Sequence, residues 1–248
     1  MNKNLNIRRY ILLSHHRSGT SFLTQKLNEH PSIFSGDEIF NTNKKTRLFF
    51  QQNDLSAYKN QPGIDVREFI NTYVHKVFEL FQKPVIGFQV FANQISDNDI
   101  QRLISSKEYT IIFLWRKNLL QAAVSYQIAK QTSQWNKSQA QNLNGLELDP
   151  GKIGKFIKKV KRAIPEYRKI IKDNHVPFLE LNYEILFKQE TFRSIYRFLE
   201  VTEPEQITIP HTKLNNISRY KQLENYNEID KKFSSQENGI LFQEYDFY

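Results

Sequence analysis

The chain has 248 residues, 35 Lys and Arg against 26 Asp and Glu, and no cysteine. That length suits one α/β domain with a single core, and the basic balance favours anionic partners without choosing among nucleotides, nucleic acid, acidic sugars or lipid. The missing cysteines exclude disulfides and thiolate metal sites; no run reaches transmembrane length and Met1–Arg8 has no apolar leader region, so a cytoplasmic protein of one domain, residues 1–248, is expected.

In chain order, Tyr10–Leu13 is apolar and predicts a buried strand. A polar turn, Ser14–Ser21, leads into a helix that carries Leu23 and Leu27 and ends near Asn28, ahead of His30-Pro31. Ile33-Phe34 is a short apolar piece, and Ser35-Gly36-Asp37-Glu38 reads as a turn. Residues 44–62 are basic, aromatic and irregular. Asp65–Phe81 predicts an amphipathic helix, capped by Asp65 with Glu68 three residues on, and Lys83-Pro84 stops it.

Val85–Val90 predicts a strand with Gly87 inside it, and Asp97–Ser105 a short helix capped by Ser96 or Asp97. Tyr109–Trp115 is apolar throughout, the pattern of a central strand covered on both faces. Asn118 should cap a helix to about Thr132, with Gln121 three residues later. Residues 133–149, rich in Gln and Asn, read as a mobile loop. Ile153–Ile171 predicts a basic helix that Pro165 should kink. A strand at Phe178–Leu181, a helix at Thr191–Leu199 and a last helix at Ile217–Phe233 complete the chain. Strands alternating with helices predict an α/β fold: three layers, with a mostly parallel central sheet flanked by helices.

Two turns carry the chemistry. A strand that turns directly into a helix aims unpaired N–H groups and the positive dipole end at one spot, which suits phosphate. The first turn adds Arg17, Ser18, Gly19, Thr20 and Ser21. It lacks the leading Gly and the Lys of a nucleoside triphosphatase loop, which disfavours ordinary ATP hydrolysis and a nucleotide kinase. The second turn repeats the plan, with Arg116 at the end of a buried strand and Ser125 about two turns into the next helix; if that hydroxyl faces the same way as Arg116, the pair can hold a second phosphate.

His16-Arg-Ser-Gly-Thr-Ser-Phe-Leu23 resembles the 5′-phosphosulfate loop of sulfotransferases that use 3′-phosphoadenosine 5′-phosphosulfate (PAPS). Trp115-Arg-Lys-Asn-Leu-Leu-Gln-Ala-Ala-Val-Ser125 resembles their 3′-phosphate segment. Gly36-Asp-Glu-Ile-Phe-Asn41 and Phe178-Leu-Glu-Leu-Asn-Tyr-Glu-Ile-Leu186 are similar to further segments of the bacterial group that sulfates nodulation factors and trehalose. The chain departs from the cytosolic steroid and phenol enzymes: Arg17 stands for their Lys, Arg116 to Ser125 is one residue longer, and their Gly-rich closing stretch is missing. Lys213 is the candidate left there.

The resemblance implies the P-loop-like sulfotransferase fold and transfer of a sulfuryl group from PAPS to a hydroxyl of a carbohydrate or glycolipid, with no metal. It makes Arg17, Ser18, Gly19, Thr20, Ser21, Arg116 and Ser125 the donor-binding residues. Arg17 also stabilises leaving-group charge. Glu38 is the expected general base, with His15 and His16 as rivals. Residues 42–62 and 131–150, Trp135 among them, are expected to line the acceptor. The expected partner is a small-molecule or glycan acceptor, with no nucleic acid and no integral membrane segment; a homodimer stays open. The rival reading is a non-catalytic binder of anionic polymers, but the basic residues cluster at 152–172, the pattern of a solvated helix face.

Overall fold

The computed structural model describes residues 7–41, 49–53, 55, 65–91, 94–135, 142–209, 217–235 and 238. Its elements run β1 (Arg8–Ser14), α1 (Thr20–Asn28), β2 (Ile33–Glu38), α2 (Val66–Phe81), β3 (Val85–Phe91), α3 (Asp97–Ser105), β4 (Thr110–Trp115), α4 (Leu119–Thr132), α5 (Pro150–Asp173), β5 (Phe178–Asn182), α6 (Gln189–Phe198) and α7 (Tyr226–Phe233). The strands form one parallel sheet in the order β2-β3-β1-β4-β5.

Both faces of this sheet are covered, which explains strands that are apolar without alternation. Ile11, Leu13, Ile111 and Phe113 join a core with residues of α2, α3, α4 and α5. Tyr10, Leu12, Ile112 and Leu114 point the other way, onto α1 and α6. Tyr10 lies opposite Gly87 in the β1–β3 register, and a Cβ at Gly87 would sit 2.0 Å from the Tyr10 ring. The glycine expected inside β3 is therefore the slot for an aromatic ring.

Several expectations need correction. β2 extends through Glu38, so Asp37 and Glu38 end a strand instead of lying in a turn. Parallel pairing to β3, from Ile33 opposite Val85 to Glu38 opposite Gln89, overrides the local turn preference, with a register shift between Ser35 and Glu38. Gly36 is needed there because the Tyr73 hydroxyl occupies the place of its Cβ. Ser96, not Asp97, caps α3. In α2 the Asp65 carboxylate accepts from the N–H of Arg67 rather than that of Glu68.

α5 starts earlier than expected, with Asp149 as its cap and Pro150 in its first turn, where a missing N–H costs nothing. It then continues across Pro165 as one helix of 24 residues. Residues 142–149 are held, not loose. Leu143 and Leu148 are buried, and Asn225 brackets Leu148 by accepting from its N–H and donating to its carbonyl. The last helix is two pieces, a 3-10 turn at Ile217–Gln222 and then α7.

Candidate active site

The chain leaves β1 and β4 side by side at their carboxyl ends, with Ser14 opposite Leu114. From there α1 packs on one face of the sheet and α4 on the other. Crossovers that part in this way open a crevice at the strand ends, where open α/β sheets bind ligands. Both arginine turns stand at that crevice.

Arg17 occupies the left-handed region at φ 66°, and Gly19 follows at φ 95° as the residue before α1. Gly19 has no side chain to cap α1, and a helix start without such a cap leaves N–H groups that suit an anion. The sequence predicted that Gly19 lets the backbone approach a ligand. Instead, its bare side faces Tyr183 and Leu186, whose atoms would lie 2.7 and 2.9 Å from a Cβ. The buried Ser18 hydroxyl donates to the His15 carbonyl at 2.8 Å and braces the turn from within. Thr20 is buried and Ser21 exposed.

The two arginines meet on α4. Arg17 Nε donates to Ser125 Oγ at 2.9 Å, and its Nη1 to the Trp135 carbonyl at 2.8 Å. Arg116 Nη2 donates to Gln121 Oε1 at 2.5 Å. Gln121 and Ser125 are four residues apart, so they lie on one helix face with Cβ atoms about 5–6 Å from each other. Ser125 thus pairs with Arg17, not with Arg116 as the sequence suggested. Gln121, expected only in the capping pattern at Asn118, is the residue that holds Arg116.

Arg116 is 2% exposed and its guanidinium lies 4.3 Å from the centre of the Tyr183 ring. Among the described residues its Nε has no hydrogen-bond partner. Ser14 Oγ and Asn182 Oδ1, at the ends of β1 and β5, are also buried without one. Three adjacent strand ends therefore each keep an unsatisfied polar atom, a cost that native cores avoid and binding sites tolerate.

His15 is not free to act as a base. Its Nε2 accepts from the backbone N–H of Arg116 at 3.1 Å, and Nδ1 meets the His16 carbonyl at 2.9 Å. Burial, with Arg116 and His16 nearby, lowers its pKa to about 4. His16 packs on Phe91 and Tyr126, with ring centres 4.4 and 5.1 Å away. Trp135, 44% exposed, meets Tyr126 edge-on and continues this aromatic row.

Glu38 sits two strand positions from β1, about 10 Å along the rim. Its Oε2 accepts from Asn41 Nδ2 at 2.8 Å and Gln94 Nε2 at 2.5 Å. Burial pushes its pKa up, against those two hydrogen bonds.

The sequence model of the Stf0 sulphotransferase family matches residues 9–227, a span that holds both arginine turns and Glu38. The chain belongs to this family. No curated protein sequence matches it. The sulfotransferase domain from the curacin biosynthetic pathway has a TM-score of 0.52 at 13% identity, covering 83% of this chain and 78% of that one, a likeness of fold. A sulfotransferase from Alicyclobacillus acidocaldarius has a TM-score of 0.45 at 15% identity, covering 90% and 93%. Mouse sulfotransferase SULT7A1, complexed with PAP, has 0.41 at 14%, covering 98% and 77%. Family membership supports sulfuryl transfer as the activity class of this Stf0 protein, and its sheet is the P-loop-like sulfotransferase architecture.

The geometry brings Arg17, Ser18, Gly19, Thr20, Arg116 and Ser125 to one crevice and leaves Glu38 on the same rim. Lys213, and residues 42–48, 54, 56–62 and 136–141 of the expected acceptor segments, lie outside the described residues. Sequence reasoning missed Gln121, Tyr183 and Glu184 as parts of the site. The signal for the last two was a Tyr-Glu pair directly after a strand, at the rim where ligands bind. Among the described residues no group of three His, Asp or Glu could hold a metal ion, and no helix is long and apolar enough to cross a membrane.

Proposed function

We propose that this protein transfers the sulfuryl group of PAPS to a hydroxyl of a carbohydrate or glycolipid, giving a sulfate ester and adenosine 3′,5′-bisphosphate. One observation carries the reading: Arg17 and Arg116 are held one turn apart on the same face of α4. The spacing suits a ligand with two separate anionic groups. The unpartnered Nε of Arg116 and the uncapped start of α1 are donors that such a ligand would use.

PAPS supplies an activated sulfuryl group on a phosphate leaving group. Arg17, with the N–H groups of residues 18–21 and the hydroxyls of Thr20 and Ser21, holds the 5′ end and opposes the negative charge that grows on the leaving side. The Ser18 hydroxyl is already committed to His15, so Ser18 contributes its N–H. Arg116 holds the 3′-phosphate, helped by Ser125, whose hydroxyl accepts from Arg17 and keeps its own proton to donate to that group. Glu38 removes the proton from the acceptor hydroxyl, and its raised pKa makes it a stronger base than an exposed Glu. The row of His16, Tyr126 and Trp135 offers aromatic faces on which a sugar ring can lie. The reaction suits a cytoplasmic setting.

Transfer of labelled sulfate from PAPS to sugar acceptors, with calorimetry of adenosine 3′,5′-bisphosphate binding, tests the reading. Binding at tens of micromolar or tighter, about −6 kcal/mol or better, is the expected result. A chain that neither binds the bisphosphate nor transfers sulfate would overturn it.

A further inference from the structure

The turn after β4 is Arg116-Lys117-Asn118, and side chains from two other crossovers claim all three of its backbone N–H groups. Arg116 N–H donates to His15 Nε2 at 3.1 Å. Lys117 and Asn118 N–H donate to Glu184 Oε2 and Oε1, each at 3.1 Å. His15 belongs to the turn after β1, and Glu184 to the segment after β5. β1 and β5 are the two neighbours of β4 in the sheet, so the turn is pinned from both sides.

The chemistry of each contact is fixed by its partner. A backbone N–H only donates, so His15 Nε2 must carry a lone pair. A carbonyl only accepts, so the proton must be on Nδ1, which faces the His16 carbonyl. Glu184 uses both carboxylate oxygens, one for each N–H. Turn N–H groups of this kind are normally satisfied by water or by one local cap. Here they are spent on joining three strand ends.

We infer that His15 and Glu184 are positioning residues: they hold the β4 turn so that Arg116 is set for the 3′-phosphate of the donor. The inference rests on the proposed function, in which Arg116 makes that contact. Both act through the backbone of the turn, His15 on the N–H of Arg116 and Glu184 on those of Lys117 and Asn118. His15 remains neutral at physiological pH, since burial lowers its pKa to about 4, so its acceptor is present whenever the protein works. Glu184 is half-buried and can be changed without opening the core.

The test compares two nucleotides on the full chain by calorimetry: adenosine 3′,5′-bisphosphate, and adenosine 5′-monophosphate, which lacks the 3′ group. Glu184→Gln keeps the size of the side chain but turns one acceptor into a donor that faces an N–H. It should weaken the bisphosphate about tenfold and leave the monophosphate unchanged, a split that general loss of structure would not produce. His15→Phe should give the same split; if it does not fold, Glu184→Gln decides. Unchanged bisphosphate affinity, or equal loss for both nucleotides, overturns the positioning role while the wild-type chain still binds. A wild-type chain that binds neither nucleotide overturns the proposed function, and this inference with it.

Discussion

Arg17 and Arg116 do different physical jobs at the same crevice. Arg17 is partly exposed and spans two elements, Ser125 on α4 and the carbonyl of Trp135. Arg17→Ala should weaken bisphosphate binding by about 2 kcal/mol with little change in melting temperature, because water can replace its partners. Arg116 is buried against Tyr183 and Gln121. Arg116→Ala should weaken binding by a similar amount, about 2 kcal/mol, and also lower the melting temperature, because the buried Gln121 Oε1 loses the hydrogen bond from Arg116 and the Tyr183 ring loses its packing partner. Calorimetry and thermal melts of both variants separate the two behaviours. Glu38→Gln should spare nucleotide binding and cut turnover by about 100-fold. A base must be deprotonated to act, so wild-type turnover should rise with pH through the raised pKa of Glu38, placing the acid limb above the ordinary Glu value of about 4.3. Unchanged turnover in Glu38→Gln would remove it from the base role.

Among the elements, the β1–β3 pair depends most sharply on one residue. Tyr10 fills the space above Gly87, and both are fully inside the sheet layer. Gly87→Ala would drive a methyl into the ring, and the displaced ring has α1 packed above it. The expected cost is about 1–3 kcal/mol, read as a lower urea midpoint. α5 shows the opposite, a local rule broken at little cost. Pro165 removes one helical N–H, yet it stands on the exposed side of the helix, away from the buried stripe. The buried stripe of Ile153, Ile157, Val160, Ile164, Tyr167 and Ile171 continues across it and holds the helix together.

For the molecule as a whole, charge and acid stability follow from where groups are placed. α5 carries nine Lys and Arg against two acids, so much of the net positive charge lies on the outside of one helix, away from its buried stripe. Acid should weaken the fold through His15. Its pKa is lowered from 6.5 to about 4 in the folded chain. Above pH 6.5 both states hold it neutral and it costs nothing. Between about 6.5 and 4 the unfolded chain takes up a proton that the folded chain refuses, so stability falls as pH falls. From pH 7 to 4.5 the loss is about 2–3 kcal/mol. Urea titrations across that range measure it, and His15→Phe should remove this part of the slope while the carboxylates keep theirs. An equal slope in the variant would contradict a neutral, buried His15.

Local pattern determined most of the elements, because periodicity and capping act over two to four residues of chain. The apolar run at Tyr109–Trp115, the cap at Asn118 and the stripe of α2 were all legible for that reason. So were the two turns that carry Arg17 and Arg116, since a basic residue between a strand and a helix is itself a local feature. Strand order, the length of β2, the ring slot at Gly87 and the choice of partners belonged to the tertiary structure alone. Arg17 reaches Ser125 across 108 residues, and Glu184 reaches Asn118 across 66. No spacing along the chain records which side chain will stand at such a meeting point; packing helices on both faces of one parallel sheet decides it.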